Sequence, residues 1–253
     1  MKVIFSILFL IFLINVLIYV FRPFGEQFYI IANLFVILFS FLAFVSGAYA
    51  FKFHSLKSIQ GQALFFITIG VLFWFLGETT WGLYEIAFGI RSPIASIADF
   101  FWLIGYPIFL LGLCYVCKIT SIRISKTKLV ILLALIIFLL TFMTYLIKPI
   151  LINNEMSFAE KTITAGYVIS DTILLIALLV SITYLLGGKI AKVWFIILLA
   201  IIMATVADIY YMNFLESYET GNLIDLFWNF DYILLAFGFL YHRESVKEVF
   251  RKK

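Results

Sequence analysis

GETTWGLYEIAFGIRSPIASIADFFWLIGY, Gly77 to Tyr106, places two glutamates, an aspartate and two tryptophans where two very apolar stretches meet. A second stretch, ADIYYMNFLESYETGNLIDLFWNFDY from Ala207 to Tyr232, repeats its pattern. Glu78 aligns with Asp208 and Trp81 with Tyr211. The run Asp99, Trp102, Tyr106 aligns with Asp225, Trp228, Tyr232. Within each half the acid and aromatics fall at i, i+3 and i+7, which is one stripe of a helix. Glu78, Trp81 and Glu85 share that spacing.

The surrounding chain is far more apolar than a soluble domain: 65% of residues are hydrophobic, 13% are charged, and the mean hydropathy is +1.14. Crossing a hydrocarbon core of about 30 Å takes about 20 apolar residues in a helix. Eight runs meet that length, approximately Val3 to Phe21, Tyr29 to Phe51, Ala63 to Phe88, Ala98 to Val116, Leu129 to Ile147, Thr162 to Leu186, Val193 to Phe214 and Leu223 to Tyr241. Their length and lack of alternation exclude barrel strands, so the fold class predicted is an all-α membrane protein of eight transmembrane helices. The first run is too long for a signal peptide, and Arg22-Pro23-Phe24 is no cleavage site.

Connections are short, so the chain reads as a single integral membrane domain, 1–253. The basic segment Lys118 to Lys128 divides it into two sets of four helices, about 1–118 and 129–245. An even number of helices in each half makes them parallel repeats. Tyr29 to Asn33 also resembles Tyr167 to Asp171. Lys and Arg cluster in the connections on one side, where the positive-inside rule puts the cytoplasm, so both termini are expected there. The final stretch, His242 to Lys253, then reads as a short cytoplasmic tail. The net charge of +4 is accounted for by topology signals and contacts with anionic lipid, with no need of nucleic acid.

Acids inside spanning helices are expensive, about 2.5–3.5 kcal/mol each at the bilayer centre. Glu78, Asp171, Asp208 and Asp231 are therefore expected to face the bundle interior, protonated, hydrogen-bonded or beside a cation. Ser96 with Asp99, and Asn222 with Asp225, have capping-box spacing at helix starts. Aromatic residues at these levels serve as interfacial anchors or, with the carboxylates, as a pocket for an organic cation. Carboxylate oxygens also suit Ca²⁺. Zinc is disfavoured, because the two histidines, His54 and His242, fall at the opposite side. Pro107 is expected to kink the fourth helix and open space below the stripe. Cys114 and Cys117 read as buried packing. No phosphate-binding loop, nucleophile elbow or zinc-protease motif is present, and no cofactor is implied beyond a bound cation.

The residues Trp81, Tyr84, Glu85, Pro93, Ala98, Asp99, Gly105 and Tyr106, then Asp208, Tyr218, Gly221, Asp225, Trp228 and Tyr232, carry a resemblance. It is to the multi-helix membrane sensor modules at the N-terminus of many prokaryotic GGDEF/EAL cyclic-di-nucleotide proteins and some sensor kinases. The resemblance covers roughly helices three, four, seven and eight. The topology puts the acid–aromatic stripes toward the outer face, and the resemblance implies a sensor module; with the sequence ending at Lys253, it implies signalling through a cytoplasmic or membrane partner, or an ancestral role other than signalling. In outline, clustered acids in a duplicated eight-helix bundle also resemble lysoplasmalogenase-like lipid hydrolases, where carboxyls would do acid–base work. Parallel repeats with a midplane Asp171 are also a transporter's pattern.

Overall fold

The computed structural model describes residues 2–91, 95–118, 125–185, 191–214 and 217–251. These contain eight α-helices and no strand: α1 (Lys2–Phe21), α2 (Phe28–Phe51), α3 (Ile59–Ala87), α4 (Ile97–Lys118), α5 (Lys126–Ile152), α6 (Phe158–Leu185), α7 (Ala191–Asn213) and α8 (Asp225–Arg251). Pro93, Arg123, Lys189, Lys252 and Lys253 lie outside the described residues. The first seven helices are each long and apolar enough to cross a membrane, and the chain is a multi-pass helical membrane protein. The eighth is more polar, since Asp225, Asn229 and Asp231 occupy its first two turns and Arg243, Glu244 and Lys247 its far end. It is nonetheless central, packed against α1, α2 and α7. It also continues as helix well past Tyr241, where the sequence suggested a short tail.

Six helices close a ring in the order α2, α3, α4, α6, α7, α8 and back to α2. α1 lies outside against α8, and α5 lies outside against α6. Advancing each ring helix by four places maps the contacts α2 with α3, α3 with α4 and α4 with α6 onto α6 with α7, α7 with α8 and α8 with α2. That is the adjacency two parallel repeats would give. The outer helices break it, because α1 sits on α8 whereas α5 sits on α6. Leu132 alone is buried among the described residues of α5, so this helix presents apolar side chains almost all round, as a lipid-facing element does.

Two close approaches fix α3 against α4. A Cβ on Gly77 would stand 2.5 Å from the Trp102 indole, and a Cβ on Gly105 would stand 2.4 Å from the Trp74 indole. Only glycine at these positions lets each indole lie flat against the facing backbone, the small-residue device of membrane helix pairs. Helix starts follow the local chemistry. Ser58 caps α3 by accepting from the Gly61 N–H, while Ser157 and Glu160 cap α6 reciprocally, each side chain accepting from the other's N–H.

Pro107 lies within α4 without ending it, and Phe109 two residues on is fully buried and stacks on Trp74 with centroids 5.2 Å apart. One local expectation is corrected. Cys114 is exposed on the outer face of α4 rather than buried; Cys117, three residues on, turns inward to within 3.4 Å of the Ser181 hydroxyl.

Candidate functional site

The ring encloses a cavity of about 110 Å³ at the end of the bundle away from the chain termini. Its walls run along α3 from Trp74 to Trp81 and along α8 from Asp225 to Tyr232. Seven residues of helix rise about 10 Å, and on α7 the wall runs longer, from Ile201 to Met212, about 16 Å of helix. Below it Phe39, Ile67, Phe109, Leu235 and Phe239 are fully buried and fill the ring.

Six carboxyl groups line this cavity: Glu78, Asp99, Asp171, Asp208, Asp225 and Asp231. Among the described residues no Lys, Arg or His does. Indole and phenol groups supply the hydrogen bonds instead. Glu78 Oε1 accepts from Trp102 Nε1 at 3.2 Å and from the Tyr232 hydroxyl at 2.6 Å. Asp208 accepts from Trp228 Nε1 at 2.8 Å and from the Tyr106 hydroxyl at 3.2 Å. The two arrangements correspond position for position under the sequence alignment. In each, the indole follows its carboxylate in the same half, and the phenol crosses from the other half.

Tyr106 also contacts Asp171 Oδ1 at 2.7 Å. A phenol has one hydrogen and serves one carboxylate at a time. The second contact is satisfied only when that carboxyl brings a proton or a cation stands beside it. Asp171 Oδ2 and Asp231 Oδ1 accept no hydrogen bond from a protein N–H, indole or hydroxyl, although both residues are only 2% exposed and both line the cavity. The Asp171 carboxyl stands within hydrogen-bonding reach of Asp208, a pair that is satisfied by a shared proton. An unpaired carboxylate oxygen in a low-dielectric interior is costly, which makes Asp231 the unfinished part of the site.

The remaining acids are more fully tied into the fold. Asp99 accepts the Ser96 N–H at 2.7 Å, as the capping spacing predicted, and takes the Tyr167 hydroxyl at 2.8 Å on its other oxygen. Asp225 begins α8 but captures the preceding loop rather than Asn222: it accepts from the Gly221 N–H at 2.7 Å, the Tyr218 hydroxyl at 2.9 Å and the Tyr19 hydroxyl at 3.5 Å. Gly221, with a φ of +103°, supplies the turn that aims this N–H. Glu85, grouped with the site by its spacing, is not part of the cavity wall; it joins Asn33 of α2 at 2.6 Å to Thr220 of the α7–α8 loop at 2.9 Å.

At the mouth, aromatic rings form a continuous collar. Trp81 contacts Trp102 and Tyr211 at 5.6 and 6.1 Å, and Tyr211 continues to Tyr218 and Trp228 at 4.8 and 6.2 Å. Trp81, expected as an anchor or cage residue, thus sits with its ring in the wall and donates Nε1 to Thr220 at 3.4 Å. The cavity also uses Trp74, Tyr167 and Tyr218, which sequence reasoning did not nominate. Trp74 lies at i−4 from Glu78 and Tyr167 at i−4 from Asp171, so helical spacing from the known acids would have found both. Tyr218 comes from a loop, which carries no such period.

Compared with known proteins, the chain matches no family model, no curated protein and no solved structure.

Proposed function

We propose that this protein is a membrane-embedded binding module whose cavity opens to the outer face, with both termini cytoplasmic, and takes a cation or cationic small molecule. The observation that carries the reading is a cavity lined by six carboxyl groups and, among the described residues, no basic one, in which the deeply buried Asp231 keeps an unpartnered oxygen and Asp171 leans on Asp208. Aromatic walls add cation–π attraction, worth up to about 2 kcal/mol when desolvated. Occupancy would bind α3 and α4 to α7 and α8 through Glu78 and Asp208, and so bias the packing of the two halves. Signalling through a partner protein follows from that bias. The filled core below the cavity favours binding over transport, because a conducted solute would have to displace five fully buried side chains.

The test is thermal unfolding of the purified protein in lipid nanodiscs across a panel of inorganic and organic cations. A cation-dependent stabilisation that disappears in Glu78→Gln and Asp208→Asn, with folding intact, supports the proposal. Equal shifts in parent and variants for every cation sink it. Turnover of a lysophospholipid by the purified protein, abolished in Asp208→Asn, would instead establish a hydrolase.

A further inference from the structure

The cavity holds two corresponding acid sites, and a single charged group can occupy only one of them. At the first, Glu78 is held by Trp102 and Tyr232; at the second, Asp208 is held by Trp228 and Tyr106. Each acid thus has an indole on one side and a phenol from the other half of the chain on the other. Taking the cavity to be a cation site, as proposed above, we infer that its ligand is a short linear diamine. One primary ammonium sits at Glu78, the other at Asp208, and the methylene chain lies against the indole and phenol faces between them.

Three features select this class over other cations. Among the described residues no three His, Cys, Asp or Glu side chains converge as metal ligands, whereas Ca²⁺ requires six to eight oxygens at about 2.3–2.6 Å. A primary ammonium carries three N–H donors, and acceptors await them: Asp231 Oδ1 is buried in the wall without a partner, and the Asp171 and Asp208 carboxyls meet each other there. Asp171 shares the Tyr106 hydroxyl with Asp208, so an ammonium at Asp208 meets a second carboxyl there. A quaternary ammonium has no hydrogen to give and would leave Asp231 Oδ1 unpaired. Size is the third feature. The cavity's 110 Å³ is well below the roughly 300–1,000 Å³ that holds drug-sized ligands, and suits a chain of a few methylene groups.

The experiment is isothermal titration of the full chain in nanodiscs, at constant ionic strength, with α,ω-diaminoalkanes of increasing length, with butylamine, tetramethylammonium and Ca²⁺. One diamine length is expected to bind at least ~10-fold more tightly than butylamine. Glu78→Gln and Asp208→Asn should each bring that diamine down to the butylamine level, while Asp171→Asn weakens it without removing the length preference. The length series needs only the parent protein, so it stands even where a variant fails to fold. Butylamine binding as tightly as every diamine, or tetramethylammonium or Ca²⁺ binding more tightly than all of them, overturns the diamine while leaving a cation site in place. Absence of binding by every cation removes both the diamine and the site.

Discussion

Replacing Tyr106 by phenylalanine removes the one hydroxyl shared by the buried Asp171 carboxyl at 2.7 Å and the half-buried Asp208 carboxyl at 3.2 Å. Hydrogen bonds to charged groups contribute about 1.5–3 kcal/mol in soluble proteins, whereas side-chain bonds within membranes average about 0.6 and reach about 1.7 kcal/mol. Two contacts therefore put the cost of Tyr106→Phe at about 1–3 kcal/mol. With about 2–4 °C per kcal/mol for a chain of this size, Tm should fall by on the order of 2–12 °C. Tyr232→Phe is the internal control, because Glu78 keeps the Trp102 indole at 3.2 Å when the Tyr232 hydroxyl is lost. Its penalty should be the smaller of the two. In the Tyr106→Phe background, Asp171→Asn should recover part of the loss, since it removes a carboxylate stranded beside Asp208. Unfolding in nanodiscs, followed by tryptophan emission, measures all five proteins: the parent, the three single variants and the double variant. An equal or larger loss for Tyr232→Phe, or Asp171→Asn adding its full cost to that of Tyr106→Phe, would refute the shared-hydroxyl account.

Gly77→Ala should lower stability by about 1–3 kcal/mol, because its Cβ would meet the Trp102 indole at 2.5 Å; a shifted tryptophan emission maximum would report the indole leaving Glu78. Asp225→Ala removes the acceptor of the Gly221 N–H and one partner each from the Tyr218 and Tyr19 hydroxyls, which still have Thr220 and Asn229 beside them, and should cost on the order of 2 kcal/mol in chemical or thermal unfolding, with Asp225→Asn milder. His54, in the α2–α3 connection with its ring 5.5 Å from that of His242, is held by burial below the ordinary imidazole value of about 6.5. A depressed basic group takes up its proton at lower pH when folded than when unfolded, so stability is complete above pH 6.5 and declines as acid charges the unfolded imidazole first. Between pH 7 and pH 5 the parent should therefore lose more stability than His54→Gln; parallel pH profiles would contradict this.

The amino-acid sequence by itself determined the class and much of the layout. Length and hydropathy set the helices within about five residues, apart from the polar far end of α8, which runs on to Arg251, since the cost of an unpaired backbone group in lipid leaves a long apolar run no alternative to helix. The i, i+3, i+7 spacing of Asp99, Trp102 and Tyr106, and of Asp225, Trp228 and Tyr232, placed acid and aromatic groups on shared stripes, because that spacing depends only on helical rise and twist. The cost of a charge in lipid turned those stripes inward. Which residue on one helix meets which residue on another depends on helix rotation, tilt and order around the ring, and these are set by non-local packing. So only the tertiary structure decided that Tyr106 reaches Asp208 while Tyr232 reaches Glu78, that Glu85 ties α2 to a loop outside the cavity wall, that Asp225 clamps Tyr19 from the first helix, and that α1 and α5 stand outside a closed ring of six.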